Sequence, residues 1–180
     1  AVGNQVVVTG ALTYTSNRVI NTSARDGNID IHAADGSTGP DGLDFTLNAG
    51  AGTGTFETVG TDAASDTVNA FSVTGTTINA NGSVYTGVDS GTNTGDVSFS
   101  GAVVLGANVT VDSTDGGGGS AGGVSFSSTV NADGVANDRY LVVTAGGGSA
   151  TFNGDVGGVE ALDAVDVDAA SIAVRQIRVE

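Results

Sequence analysis

Five phenylalanines, Phe45, Phe71, Phe99, Phe126 and Phe152, recur along this 180-residue chain at intervals of 26, 28, 27 and 26 residues, and Phe56 alone stands outside the series. A fixed period of this size marks a structural repeat, one supersecondary unit stacked on copies of itself, because a single unit cannot bury its own apolar side. Each phenylalanine sits in a short alternating word: Leu43, Phe45 and Leu47; Phe71 and Val73; Val97 and Phe99; Val124 and Phe126; Ala150 and Phe152. Apolar residues separated by small polar ones are the period-2 pattern of a strand with one face buried. Extending the series by one period reaches Val19 at the front and Val179 at the back, both β-branched and apolar, as a core column requires.

A second alternating word lies about half a period earlier, clearest in Ile29 with Ile31, Val84 with Tyr85, Val109 with Val111 and Val165 with Val167. A third follows each phenylalanine more loosely, in Val103 to Leu105, Val130 and Val156. Three short strands and three turns account for roughly 27 residues, one coil of a solenoid at ordinary strand and loop lengths. The chain is then a single all-β domain over 1–180, a β-solenoid of six to seven coils and on the order of 30 Å long at about 4.8 Å per coil. Glycine-rich stretches between the words suit coil corners. The stretch 115–123 is the one place a linker could divide the chain, but the step from Phe99 to Phe126 keeps the register across it. An antiparallel β-sandwich or jelly roll, assembling by strand donation, is the alternative, since short strands and the Asn81-Gly82 turn suit hairpins too.

Composition narrows the functional classes. Thirty glycines, one proline and no Cys, Met or Trp, with few strong helix formers besides Ala, favour strands and turns, while 39% hydrophobic residues are too many for a disordered chain. Five arginines against 20 acids, for a formal charge of −15, exclude the basic surface that nucleic acid or an anionic membrane needs. Lacking cysteine, the chain has no disulfide and no thiolate nucleophile, and with no apolar run of 18 residues it has no membrane-spanning helix.

The run from Leu141 to Gly158 resembles the repeat of large secreted bacterial adhesins of the filamentous-haemagglutinin and autotransporter type, and the stretches Asp26 to His32 and Gly95 to Gly101 are similar to it. The resemblance implies a right-handed parallel β-helix, an extracellular location at the cell surface and a structural or adhesive role. It supplies no catalytic residue.

The residues themselves offer little chemistry. His32, the only histidine, lies near Asp30 and Asp35, without a nucleophile elbow or a cysteine to serve. Paired acids for glycoside cleavage exist in Asp163, Asp166 and Asp168, and in Asp112 with Asp115, but alternating Asp is also what the solvent side of a strand looks like. A carbohydrate-binding or polysaccharide-cleaving β-helix is therefore the functional alternative, and the chain is expected not to be an enzyme. No cofactor is expected apart from calcium, for which Asp35, Asp41 and Asp44 make the densest oxygen-rich turn, against the simpler reading of Asx turns. Asn21, Asn81 and Asn108 head three N-x-Ser/Thr sequons. Thr residues do not repeat at a fixed rung position, which speaks against an ice-binding Thr-x-Thr face.

Neither extreme shows a cap. The chain enters on Val6, Val7 and Val8 and leaves on Arg175, Ile177, Arg178 and Val179, both strand-like, and four of the five arginines sit in these end coils while the middle holds nearly all the acid. Open edges with little like charge fit end-to-end stacking into a fibre, or continuation into adjoining repeats of a longer chain, with surface glycans as a further expected partner.

Overall fold

A computed structural model describes residues 4–35, 42–61, 68–87, 95–114, 122–134 and 138–180. It holds thirteen strands joined in one ladder: β1 (Gln5–Thr13), β2 (Arg18–Asn21), β3 (Asn28–Asp35), β4 (Phe45–Asn48), β5 (Thr53–Val59), β6 (Phe71–Ala80), β7 (Val84–Tyr85), β8 (Val97–Leu105), β9 (Val109–Asp112), β10 (Val124–Phe126), β11 (Val130–Ala132), β12 (Tyr140–Val156) and β13 (Ala164–Ile177). The described pairings are parallel, which removes the hairpin sandwich and establishes a β-solenoid of about six turns with paired residues about 25 apart. Among the described residues one 3₁₀ turn, Ser23–Arg25, interrupts it.

Each coil has three walls. The first carries the phenylalanines through β2, β4, the front halves of β6 and β8, β10, and the later parts of β12 and β13. The second runs through the front halves of β1, β3 and β5, the back halves of β6 and β8, and β11. The third runs through β7, β9 and the start of β12 and β13. Inward residues of all three walls meet in one core in which Phe45, Phe56, Phe71, Phe99, Phe126 and Leu141 are almost completely buried.

The phenylalanine column is not straight. Phe45 pairs with Phe71, but Phe71 pairs with Val97, and Phe99 pairs with Val73. A shift of two residues leaves every side chain on its own face of the sheet, so it is compatible with the buried pattern and produces the 28-residue interval. Phe56 fills the jog: this phenylalanine from the second wall meets Phe71 edge-on at 5.2 Å between centroids and stacks on Phe99 at 6.1 Å. Beyond it Phe99, Phe126 and Phe152 stack at 4.7 and 4.9 Å with ring planes within 10°, close to the spacing of adjacent rungs.

Two proposed members of the column do not belong to it. Val19 pairs with Thr46, faces outward and is 61% exposed; the front of the column is closed instead by Tyr14, whose ring stacks on Phe45 at 5.4 Å. Val179 bridges Leu162 and is 48% exposed, and the residue above Phe152 is Val174. The last coil tightens from a 24-residue step (Tyr140 to Ala164) to a 21-residue one (Val156 to Ile177), so a constant period overshoots. Ile29 and Ile31 likewise belong to the second wall, in line with Gly54 and Phe56, and not with Val84 and Val111 of the third. The third-wall step lengthens to 32 residues between Val109 and Leu141, which blurred the two words in sequence.

The corner between the first and second walls is built on stacked glycines. A Cβ on Gly52 would lie 2.6 Å from the carbonyl oxygen of Gly27, one on Gly75 would lie 3.0 Å from that of Gly52, and one on Gly101 would run into that of Gly75. Only the absence of a side chain lets successive corners approach so closely. Elsewhere short polar side chains take over where the ladder turns. Asn17, Asn28, Asp96 and Asn131 each accept, at 2.8 to 3.1 Å, from a backbone N–H of the next coil, at Asp44, Thr53, Gly123 and Val159 respectively. These Asn and Asp side chains thus satisfy backbone donors that a corner would otherwise strand.

Candidate functional site

With the interior filled by hydrocarbon, any function lies on the outer walls or the ends. The outer side of the first wall carries a column of hydroxyls, Thr46, Ser72, Ser98, Ser125 and Thr151, paired rung to rung, with Asn48, Thr74 and Ser100 beside it. Ser72 donates to Thr46 at 3.0 Å. Thr alone is irregular, as the sequence suggests, but Ser and Thr together do repeat at a fixed rung position. The result is an uncharged strip on a strongly acidic rod. No other part of the sequence signals it, because serine in these words reads only as the polar half of an alternation.

The acids are placed differently. Asp44, offered as a calcium ligand, has Oδ2 accepting from Asn17 Nδ2 at 3.2 Å and Oδ1 accepting from Asn69 Nδ2 at 2.6 Å, a carboxylate rung between two amides. Asp41 and the side chain of Asp35 lie outside the described residues. Among the described residues no three His, Asp or Glu side chains gather as a metal site. Asp112 Oδ1 accepts from Thr114 N at 2.8 Å and Thr114 Oγ1 at 2.6 Å, an Asx turn, and Asp115 lies outside the described residues. Asp166 and Asp168 alternate along the outer side of β13, with Asp163 exposed just before it. His32 Nδ1 stands 3.8 Å from Glu57 Oε1, both substantially exposed on neighbouring coils. Arg139 grips Asp133 through Nε and Nη2 at 2.9 and 3.0 Å, a hydrogen-bonded pair that raises the guanidinium pKa above its ordinary value. Of the tyrosines, Tyr14 is core, Tyr85 is half-buried and Tyr140 is exposed.

The three sequons are not equivalent. Asn108 Oδ1 accepts from Tyr140 N of the next coil at 3.3 Å, and its sequon runs into β9. Asn81 lies over the backbone of Gly106, and its sequon hydroxyl, Ser83 Oγ, accepts from Thr110 N at 3.1 Å. Asn21 forms a local turn with its own sequon, Oδ1 accepting from Ser23 N at 2.9 Å and Ser23 Oγ at 2.7 Å.

The ends hold most of the exposed large apolar side chains among the described residues. In the last rung these are Ile172 (50%), Val174 (45%), Ile177 (41%) and Val179; in the first they are Val7 and Val19, while Val6 and Val8 face Ile29 and Ile31 and are half-buried. Among the described residues β13 pairs only with β12, β1 only with β3 and β2 only with β4, so each of these strands has one edge with no partner there. The two ends differ. Tyr14 closes much of the first, whereas nothing in the described chain covers the last. The end coils are also less alike in charge than the sequence suggests. The first has Arg18 and Arg25 and no acid up to Asp26, but the last presents Asp166 and Asp168 beside Arg178 and Arg175, the latter paired with Asp155 at 3.1 Å. No protein family, curated protein or solved structure matches this chain.

Proposed function

We propose that this chain is a structural and adhesive solenoid of the cell surface, a non-catalytic rod whose end rungs are continued by further solenoid. The continuation is a second copy stacked head to tail or the adjoining coils of a longer adhesin of the filamentous-haemagglutinin and autotransporter type. The observation that carries the reading is the last rung, where Ile172, Val174, Ile177 and Val179 line up with the interior columns yet stand open beside an unpaired strand edge. Such an edge pairs readily with another strand. A heterologous contact of this kind propagates as a filament. The rod needs no cofactor for this role, and calcium at Asp35, Asp41 and Asp44 would add only local stiffness.

Electron microscopy of the purified chain across a concentration series tests the proposal. Rods that lengthen by end-to-end addition support it; discrete monomers at every concentration and salt overturn it. A second reading, contact with carbohydrate, is favoured by the uncharged hydroxyl strip of the first wall, which matches a hydroxylated surface in chemistry. Retention on insoluble polysaccharide, lost when Ser98 and Ser125 are both changed to Glu, would support that contact. Equal retention of the parent and the double variant would remove it.

A further inference from the structure

We propose that Asn21 is an N-glycosylation acceptor, and that the folded chain offers it while withholding Asn81 and Asn108. An acceptor asparagine must turn its amide nitrogen to solvent, with the hydroxyl two residues on held close by. At Asn21 both conditions are met inside a three-residue segment. Ser23 occupies the amide oxygen through its N–H and its O–H, which orients the amide, and Asn21 Nδ2 has no hydrogen-bond partner among the described residues. The side chain is exposed and opens beside a shallow concavity of about 230 Å³ lined by Asn4, Asn21, Thr22, Ala24 and Arg25. Asn81 and Asn108 are exposed as well, but there the sequon's own polar group is spent on the next coil, Asn108 Oδ1 accepting from Tyr140 N and Ser83 Oγ from Thr110 N. In the Asn21 motif only the side chain of the middle residue reaches across, Thr22 Oγ1 donating to Asn48 O at 3.5 Å. Presenting either one would break a contact that spans two rungs.

The donor is a sugar activated as a diphosphate, carried either by a nucleotide or by a polyprenyl lipid. Asn21 Nδ2 forms a bond to the anomeric carbon, and the bond from that carbon to the diphosphate oxygen breaks. The diphosphate leaves with the electron pair, and the proton lost from the amide passes to the transferase.

Two arms separate the donors. In the first, purified folded chain is incubated with a soluble N-glycosyltransferase and a uridine-diphosphate hexose. In the second, the chain is exported through a host whose membrane-bound transferase uses a polyprenyl-linked glycan. Peptide mapping by mass spectrometry is expected to place sugar on the peptide holding Asn21 in at least one arm. The modification should vanish in Asn21→Gln and Ser23→Ala, return in Ser23→Thr, and persist in Asn81→Gln and Asn108→Gln. Short synthetic peptides of all three sequons, tested with the same soluble enzyme, should accept sugar alike, which would show that the fold makes the selection. Sugar on Asn81 or Asn108 of the folded chain, or none on Asn21 in either arm, overturns the proposal. Circular dichroism melts of each variant exclude unfolding as the cause of a loss.

Discussion

Phe56, from the second wall, stacks on Phe99, from the first, with centroids 6.1 Å apart and ring planes at 24°, although the two are 43 residues apart in sequence. This contact lets the phenylalanine column step sideways by one inward position between Phe71 and Phe99 without leaving a void. Phe56→Ala is therefore expected to cost about 3–5 kcal/mol, as much as Phe126→Ala in the regular part of the column. Urea unfolding of both variants checks this. A loss below about 1 kcal/mol for Phe56→Ala alone would mean that the jog is filled by something else.

The corner glycines make a sharper comparison. Gly101→Ala places a methyl against the carbonyl of Gly75 and should destabilise the rod by more than about 1 kcal/mol, because backbone has to move. At Gly10 nothing lies within 4 Å of the added atom, so Gly10→Ala should be neutral or stabilising by up to about 1 kcal/mol. Similar melting midpoints for the two variants would contradict the stacked-corner account.

Asn131 Oδ1 accepts from Val159 N at 2.9 Å and Glu160 N at 3.3 Å. Removing that acceptor in Asn131→Ala should cost about 0.5–1.5 kcal/mol, because Val159 is exposed and water can reach its N–H. Asn131→Asp keeps an acceptor in place and should recover most of the loss. Denaturant titration of the pair tells the corner bond from simple loss of side-chain packing.

Charging the open rung separates assembly from folding. Val174→Glu with Ile177→Glu should abolish end-to-end growth in sedimentation or electron microscopy. Being exposed, the two changes should each shift stability by only about 0.5 kcal/mol. Unaltered growth of the double variant would place the contact elsewhere on the rod.

Chelation tests the one metal expectation. Asp44 is already bonded by two amides, so the melting midpoint should be the same with calcium and with a chelator. A rise of several degrees on adding calcium, absent in Asp41→Asn, would assign these carboxylates to the metal.

How much was legible before folding follows from which features are local. Alternation of apolar and small polar residues is visible in any five-residue window, and its recurrence is enough to predict stacked strands, their burial pattern and a coil of about the right length. Membership of a column is not local. Val19 and Val179 satisfy the period, yet corner residues added or lost upstream move them off the core line. The hydroxyl strip was hidden for a similar reason, since Ser and Thr become one column only once the register of five rungs is set.

The amino-acid sequence by itself determined a repeat, strands with one buried face, an acidic surface without lysine or cysteine, and ends that read as strands. Only the tertiary structure decided that the strands pair in parallel, that Tyr14 and Phe56 complete the aromatic column, that Asp44 serves a ladder of amides, and that the last rung lies more open than the first. The physical reason is that a solenoid's interior must be filled at every level. The volume left by one coil selects which side chain of the next two walls enters it, and no single stretch of sequence carries that volume.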